Sequence, residues 1–257
     1  MGNIKLSDIS TRAPKDFDKE ETKIKTLAIL KELDDLQNLM YAESKHSLLI
    51  VLQGLDASGK DGTIRKVFST LNPQGVQVHS FKIPTSEELG HDFLWRIHKA
   101  TPAKGSITIF NRSHYEDILV TRVHKTIDDK TAKKRMKAIN DFEQLLQEHN
   151  DTHILKFYLH ISPEEQQQRL QERISDPTKQ WKYNERDFEE AKLWNDYRAA
   201  YEDCFEHCND VPWTIVPADQ NWYKEYLVAH TVKKTLEKLD MHFPGLKKDE
   251  KIPNTKD

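Results

Sequence analysis

The stretch Ser47-Leu-Leu-Ile-Val-Leu-Gln53 runs straight into Gly54-Leu-Asp-Ala-Ser-Gly-Lys60. An uninterrupted apolar run closed by a glycine turn reads as a strand buried on both faces, the kind found in parallel sheets. The glycines let successive backbone N–H groups curl around an anion, and a helix opening at Lys60 adds the favourable end of its dipole. Gly54, Ala57, Ser58, Gly59, Lys60, Asp61, Gly62 and Thr63 are therefore the candidate phosphate cradle, with Lys60 reaching the phosphate that is transferred. The plainer alternative is a glycine-containing strand–helix turn without a ligand; spacing and context favour the phosphate loop.

Along the chain, helical and strand patterns alternate. Residues 1–18 carry no period and read as an arm on the surface. From Asp18 to Glu43, Ile24, Leu27, Leu30, Leu33, Leu36 and Met40 recur every three or four residues, a long amphipathic helix. After the loop, a helix is expected from Lys60 to Leu71. A strand follows from Val76 to Phe81, then a helix from the capping box Thr85-Ser-Glu-Glu88 through Lys99. Ser106–Phe110 is a third strand, with helical pattern after Asn111 and from Asp128 to Glu148. Ile154–Ile161 is a fourth strand, and Ser162-Pro-Glu-Glu165 caps the next helix, which Asp176-Pro breaks. A second long helix runs from Glu185 to Cys208. Thr214–Val216 is a last strand and Trp222–Leu239 a last helix. The tail from His242 to Asp257, with Pro244, Gly245, Pro253 and many lysines, reads as disordered. This alternation predicts one α/β domain over 1–257, a three-layer α/β/α arrangement with a parallel five-stranded sheet and a helical excursion over 163–208.

The loop departs from an ATPase-type phosphate loop. Position 61 is Asp where a magnesium-binding Ser or Thr is usual, and a second acid, Asp56, lies inside the loop. Two like charges about 4 Å apart repel by about 4 kcal/mol at an effective dielectric near 20. A divalent cation between carboxylate and phosphate reverses that sign. The loop itself thus argues for a Mg²⁺-bridged polyanion held by Asp56, with Mn²⁺ as the substitute ion. A turn or cap role for Asp56 is the alternative. The third strand ends at Asn111-Arg112-Ser113-His114-Tyr115-Glu116-Asp117, where an acid on the neighbouring strand would be expected to bind metal. Asn111 is neutral, and the acids Glu116 and Asp117 come later. Arg112 is suited to clamping phosphate oxygens. For Glu116, an exposed acid at a helix start is an equally good reading.

These two segments, Gly54–Lys66 and Phe110–Asp117, resemble the polyphosphate kinase 2 family. So do Leu71-Asn-Pro-Gln-Gly-Val76, the run Phe81–His98, Arg173-Ile-Ser-Asp-Pro177 with Lys179–Lys182, Trp194-Asn-Asp-Tyr197, and Pro217-Ala-Asp219 with Trp222-Tyr223. The resemblance spans about residues 15 to 240. It implies a P-loop kinase fold with a lid, moving phosphoryl groups between inorganic polyphosphate and adenine or guanine nucleotides. It implies that Asp56 and Lys60 are the key loop residues, and that Asp117 replaces the missing acid at Asn111. Glu116 next to Asp117 is similar to the class that phosphorylates both AMP and ADP. In the mechanism so implied, Asp56 and Asp117 hold Mg²⁺ while Lys60, Arg112 and Arg173 stabilise the transferring group. Arg65, Lys66, Lys82, Lys179 and Lys182 are the candidates for a polyphosphate channel, each alternatively a solvated surface charge. A basic residue is expected near position 221, but the chain has Gln220-Asn221. A homo-oligomer, dimer or tetramer, is also implied, and helix 18–43 offers an apolar face for it.

Composition limits the alternatives. Lys plus Arg is 39 and Asp plus Glu 42, a net charge of −3, so no global basic field exists for coating nucleic acid. The longest apolar run, Leu48–Leu52, is far below the ~20 residues of a membrane span. Two cysteines, Cys204 and Cys208, make no disulfide framework and fit a reducing cytoplasm; at helical spacing without further ligands they read as idle thiols rather than a zinc site. Two other functions stay open from sequence. An ATP-dependent nucleoside monophosphate kinase would want Ser or Thr at position 61. A non-catalytic nucleotide sensor would make Asp117 and the basic lid dispensable.

Overall fold

The computed structural model describes residues 4–245. In chain order it runs through α1 (Lys19–Glu43), β1 (Ser47–Gln53), α2 (Lys60–Val67), β2 (Val76–Ser80), α3 (Ser86–Leu89), α4 (Trp95–His98) and β3 (Ile107–Asn111). It continues through α5 (Glu116–Val123), α6 (Asp129–Asn150), β4 (Thr152–His160), α7 (Pro163–Ser175), α8 (Glu185–Lys192), α9 (Trp194–His207), β5 (Trp213–Pro217) and α10 (Asn221–Glu237). The five strands are all parallel in the order β2-β3-β1-β4-β5. β1 is central and buried along its whole length, which is why its sequence carries no polar alternation.

The order places crossovers on both sides of β1. The chain steps from β1 to β2 and back to β3, then crosses to β4 and β5. Right-handed crossovers therefore put α2 on one face and α5, α6 and α9 on the other. The contacts agree: α10 packs on α1, α2 and β5, while α5, α6 and α9 pack together. Register matters more than topology for the site. Leu52 pairs with Asn111, so β1 and β3 end side by side at their carboxyl ends.

Several boundaries differ from the sequence reading. The helix expected over Thr85–Lys99 is two single turns, α3 and α4. The capping box of Thr85 and Glu88 is present, but Gly90 ends the first turn and the Asp92 side chain takes the Leu94 N–H at 2.9 Å, bending the chain. The helix expected over Glu185–Cys208 breaks at Leu193 into α8 and α9. α2 stops at Val67, short of Leu71. α1 is amphipathic, but its buried face is Thr22, Ile29, Leu33, Gln37 and Met40. Ile24 and Leu27, expected on the same stripe, are 69% exposed. The N-terminal arm is pinned rather than loose: the Leu6 side chain is buried and its N–H donates to Glu202 at 2.8 Å. Of the expected disordered tail, residues 242–245 have no regular structure and the rest lies outside the described residues. No helix among the described residues is long and apolar enough to cross a membrane. Cys204 and Cys208 are buried free thiols.

The face of α1 is testable. Leu33→Ala leaves a cavity and is expected to cost about 2–5 kcal/mol in urea denaturation, whereas Ile24→Ala should stay within about 0.5 kcal/mol of wild type. Equal losses at both positions would contradict this packing.

Candidate active site

The loop after β1 is shaped by two glycines. At φ +150° a side chain on Gly54 would lie 2.8 Å from Ser58 Oγ and 2.9 Å from the Leu159 carbonyl oxygen. At φ +97° a side chain on Gly59 would collide with Lys224 Nζ. Ala57 also takes the left-handed region, at φ 62°. Lys60 opens α2 and folds back over the loop, its Nζ donating to the Gly54 carbonyl at 2.7 Å and the Leu55 carbonyl at 3.1 Å. It is nearly buried, and burial, aided by the Arg112 charge, lowers its pKa to about 8 despite Asp56, Glu116 and Asp61 near by. Not every predicted loop side chain faces the ligand space. Thr63 spends its hydroxyl on the Gly59 carbonyl at 3.1 Å, and Ser58 Oγ is buried. Their N–H groups are also spent inside the loop, Ser58 on the Leu55 carbonyl at 3.1 Å and Thr63 on the Gly59 carbonyl at 3.0 Å, so both positions shape the loop rather than face the ligand space.

At the end of β3 the chain turns sharply. Arg112 adopts φ 62°, and its N–H donates to the Leu52 carbonyl at 3.2 Å. This swings the guanidinium across to the loop, where it pairs with Asp56 and, at 3.1 Å, with Glu116. Those carboxylates raise its pKa, Glu116 most of all. Asn111 donates to Asp61 at 2.8 Å, linking the strand end to the helix start.

Asp117 does not join this group. One residue further round the first turn of α5 is rotated by about 100°, so Glu116 faces Arg112 while the Asp117 carboxylate faces Arg96 and Arg135 at 3.8 and 3.9 Å. It lines neither of the cavities beside the loop, and burial raises its pKa. This geometry does not bring Asp117 to the cleft with Asp56; the acids there on the loop side are Asp56 and Asp61, both close enough to act on Lys60. Among the described residues no group of three or more His, Cys, Asp or Glu could hold a metal unaided. A cation that takes phosphate and water oxygens for most of its shell needs only one or two carboxylates, and Asp56 with Asp61 meets that requirement.

The cleft over the loop has a volume of about 770 Å³. Lys60, Arg65, Lys66, Lys82, Arg112, Arg173, Lys179 and Lys182 all line it, as the sequence predicted, with Asp56, Ala57, Gly59, Asp61 and Gly62 at its floor. Two further cations were not legible in the sequence. Arg169, in α7, donates to the Ala57 and Ser58 carbonyls at 3.1 Å each and to the Ala218 carbonyl at 2.7 Å, tying the loop to the end of β5. Lys224, in α10, is buried, with Nζ 2.7 Å from Asn221 Oδ1. Burial and the Arg169 charge lower its pKa to about 7. It lies about one helical turn beyond position 221, where the basic residue is expected and the chain has Asn. Ten cations thus face five carboxylates, in a chain of net charge −3. Arg173 pairs with Asp187 across the lid, and Trp181, which lines the same cleft, is 77% exposed. On the inner side of Arg112 and Asp56 lies a narrow cavity of about 20 Å³ lined by Glu116, Glu190, Trp194, Tyr197 and Tyr201, room for about one water.

A lysine-bearing phosphate loop, a clamping arginine and a basic cleft define a phosphotransferase built on a P-loop kinase fold. The comparisons with known proteins agree. The family model described as Polyphosphate kinase 2 matches residues 16–244. An AMP/ADP-polyphosphate phosphotransferase of Meiothermus ruber is 48% identical over 228 residues, covering 88% of this chain and 85% of that protein. An ADP-polyphosphate phosphotransferase of Rhodopseudomonas palustris is 43% identical over 229 residues, 84% of this chain and 79% of the relative. A crystal structure of polyphosphate kinase 2 from Arthrobacter aurescens TC1 superposes with TM-score 0.93 at 38% identity, covering 98% of this chain and 91% of that one. The chain belongs to the polyphosphate kinase 2 family. It is an enzyme that transfers phosphoryl groups, and such transfer depends on a divalent cation.

The lowered pKa of Lys60 gives a pH dependence. Its ammonium is present below about pH 8 and is lost as pH rises through that value. Because kcat/KM reports the free enzyme, kcat/KM for phosphoryl transfer should fall above about pH 8. In Lys60→Arg, whose side chain does not deprotonate, the same limb should flatten at a lower overall rate. An unchanged alkaline limb in that variant would assign the titration elsewhere.

Proposed function

We propose that the protein transfers terminal phosphoryl groups from inorganic polyphosphate to ADP and, in the same site, to AMP, reversibly. The observation that carries this reading is the excess of cations lining a cleft that reaches beyond the phosphate loop, to Lys179 and Lys182 on one side and Lys224 on the other. A polyanion of many phosphates uses such a row, whereas one nucleotide needs only the loop and its clamp. The name of the Meiothermus ruber relative supports both acceptors, as does Glu116 beside Arg112.

In this reading the nucleotide's terminal phosphate is the nucleophile and is already ionised at pH 7, so no strong general base is required. Lys60, Arg112 and Arg173 stabilise the equatorial oxygens of the transferring group, and the loop N–H groups orient it. Arg65, Lys66, Lys82, Lys179, Lys182 and Lys224 hold the rest of the chain. Magnesium is the cation we assign, with manganese as its substitute, held by Asp56 with Asp61; when bound it supplies charge neutralisation and alignment of the phosphates. Adenine and guanine nucleotides are the proposed acceptors, the cytoplasm the proposed location, and a dimer or tetramer the proposed assembly. The exposed Ile24 and Leu27 of α1 are apolar contacts available for that assembly.

Purified protein with AMP, Mg²⁺ and polyphosphate is expected to yield ADP and then ATP with no second enzyme. Formation of ADP from AMP plus ATP at a higher rate, with polyphosphate inert, would identify an ordinary nucleoside monophosphate kinase instead.

Salt separates the cleft from the nucleotide pocket. A ligand held by many phosphate contacts releases counterions and weakens steeply with salt. The KM for polyphosphate should therefore rise with KCl much faster than the KM for ADP, and Lys66→Glu with Lys82→Glu should raise only the former. Equal salt slopes would place the polyphosphate elsewhere.

A further inference from the structure

The turn that carries Arg112 is held from behind by a buried charged network that touches no ligand space. His114 and Tyr115 point inward and are fully buried. Tyr115 Oη donates to Glu143 Oε1 at 2.8 Å, and His114 Nε2 lies 3.3 Å from the same oxygen. Lys156 Nζ uses all three protons: on Glu143 Oε2 at 2.8 Å, on Tyr115 Oη at 2.7 Å and on the Cys208 carbonyl at 2.9 Å. Burial pushes the Glu143 carboxyl up, but Lys156 and His114 outweigh it and hold it below its usual range, which favours the carboxylate. The Tyr115 ring packs edge-on against Trp213, with centroids 4.7 Å apart. Glu143 comes from α6 and Lys156 from the middle of β4, so three separate elements meet at one tyrosine hydroxyl.

We propose that Glu143 and Lys156 are positioning residues for phosphoryl transfer, acting through Tyr115 and His114 on the turn that aims Arg112 and Glu116. The turn needs such a support. Arg112 sits in the left-handed region, which residues with side chains adopt only when the surroundings over-determine it. On the site side the turn is held by the N–H of Arg112 on the Leu52 carbonyl, by the Glu116 N–H on the Ser113 carbonyl at 3.0 Å, by Ser113 Oγ between Gln53 Nε2 at 3.0 Å and the Tyr115 N–H at 3.2 Å, and by the Arg112 pairs with Asp56 and Glu116. The inward side supplies the rest. Tyr115 and His114 lie between Arg112 and Glu116 in the chain, so fixing the two inner residues fixes the two outer ones. An interior ion pair adds little stability over well-packed apolar residues of similar volume. What this pair supplies is direction: a hydroxyl clamped by a donor and an acceptor at once has one orientation.

This proposal rests on the phosphotransferase reading of the site, which wild-type turnover measured alongside tests by itself. Tyr115→Phe removes only the clamped hydroxyl. It should fold, keep KM for both substrates within about threefold and lower kcat by about ten- to a hundredfold, the range for a small misplacement of a reacting group. The double variant Glu143→Leu with Lys156→Met removes the ion pair without leaving a lone buried charge, and should show the same loss in kcat. Because the network acts through Arg112, combining Tyr115→Phe with Arg112→Lys should cost less than the product of the two separate losses. Wild-type kcat in the folded variants, fully multiplicative losses, or loss of the folded state in both designs would overturn it, the last by showing that the network serves stability alone.

Discussion

One backbone hydrogen bond, from the Arg112 N–H to the Leu52 carbonyl, joins the ends of the two strands on which the site is built. β1 delivers the phosphate loop, and β3, in register beside it, delivers the arginine. A slip of one residue would swap side chains between the two packed faces of the sheet and carry Arg112 away from the loop. The parallel sheet, buried on both faces, makes that slip costly. Everything polar at the site hangs from this frame: Asp56 and Glu116 on the guanidinium, Asn111 on Asp61, Lys60 on the loop carbonyls.

The cleft works by contrast with the rest of the surface. A chain of net charge −3 concentrates cations on one wall and buries two of them, Lys60 and Lys224, deeply enough to depress their pKa values. A buried ammonium without a full carboxylate partner is poorly solvated, and an arriving phosphate relieves that. Arg112 and Arg173, by contrast, are already paired, with Asp56 and Asp187. In the proposed reading, substrate competes with those carboxylates for the two arginines.

Much of this was legible in the sequence because some signals are nearly unambiguous. Five aliphatic residues before a Gly-rich turn favour a buried strand, and a lysine at the helix start after that turn marks a candidate phosphate loop. Other features were ambiguous for physical reasons. Arg169 and Lys224 lie in polar helices, where a lone basic residue looks like a solvated charge; only the fold shows that both turn toward the loop. Glu116 and Asp117 are adjacent in sequence but 100° apart around a helix, so spacing did not decide which one faces Arg112. In α1, Thr22 and Gln37 are buried while Ile24 and Leu27 are not, and a hydrophobic pattern read alone therefore chose a face turned partly to solvent.

The account stands on phosphates displacing protein carboxylates from the arginines of the cleft. Its most direct test is a crystal structure of the chain with Mg²⁺ and a short polyphosphate. The expected result is a phosphate chain running from the loop past Lys66 and Lys182, with the Arg112 guanidinium released from Asp56 onto a phosphate oxygen. A chain bound away from the loop, with Arg112 still on Asp56 and Glu116, would contradict it.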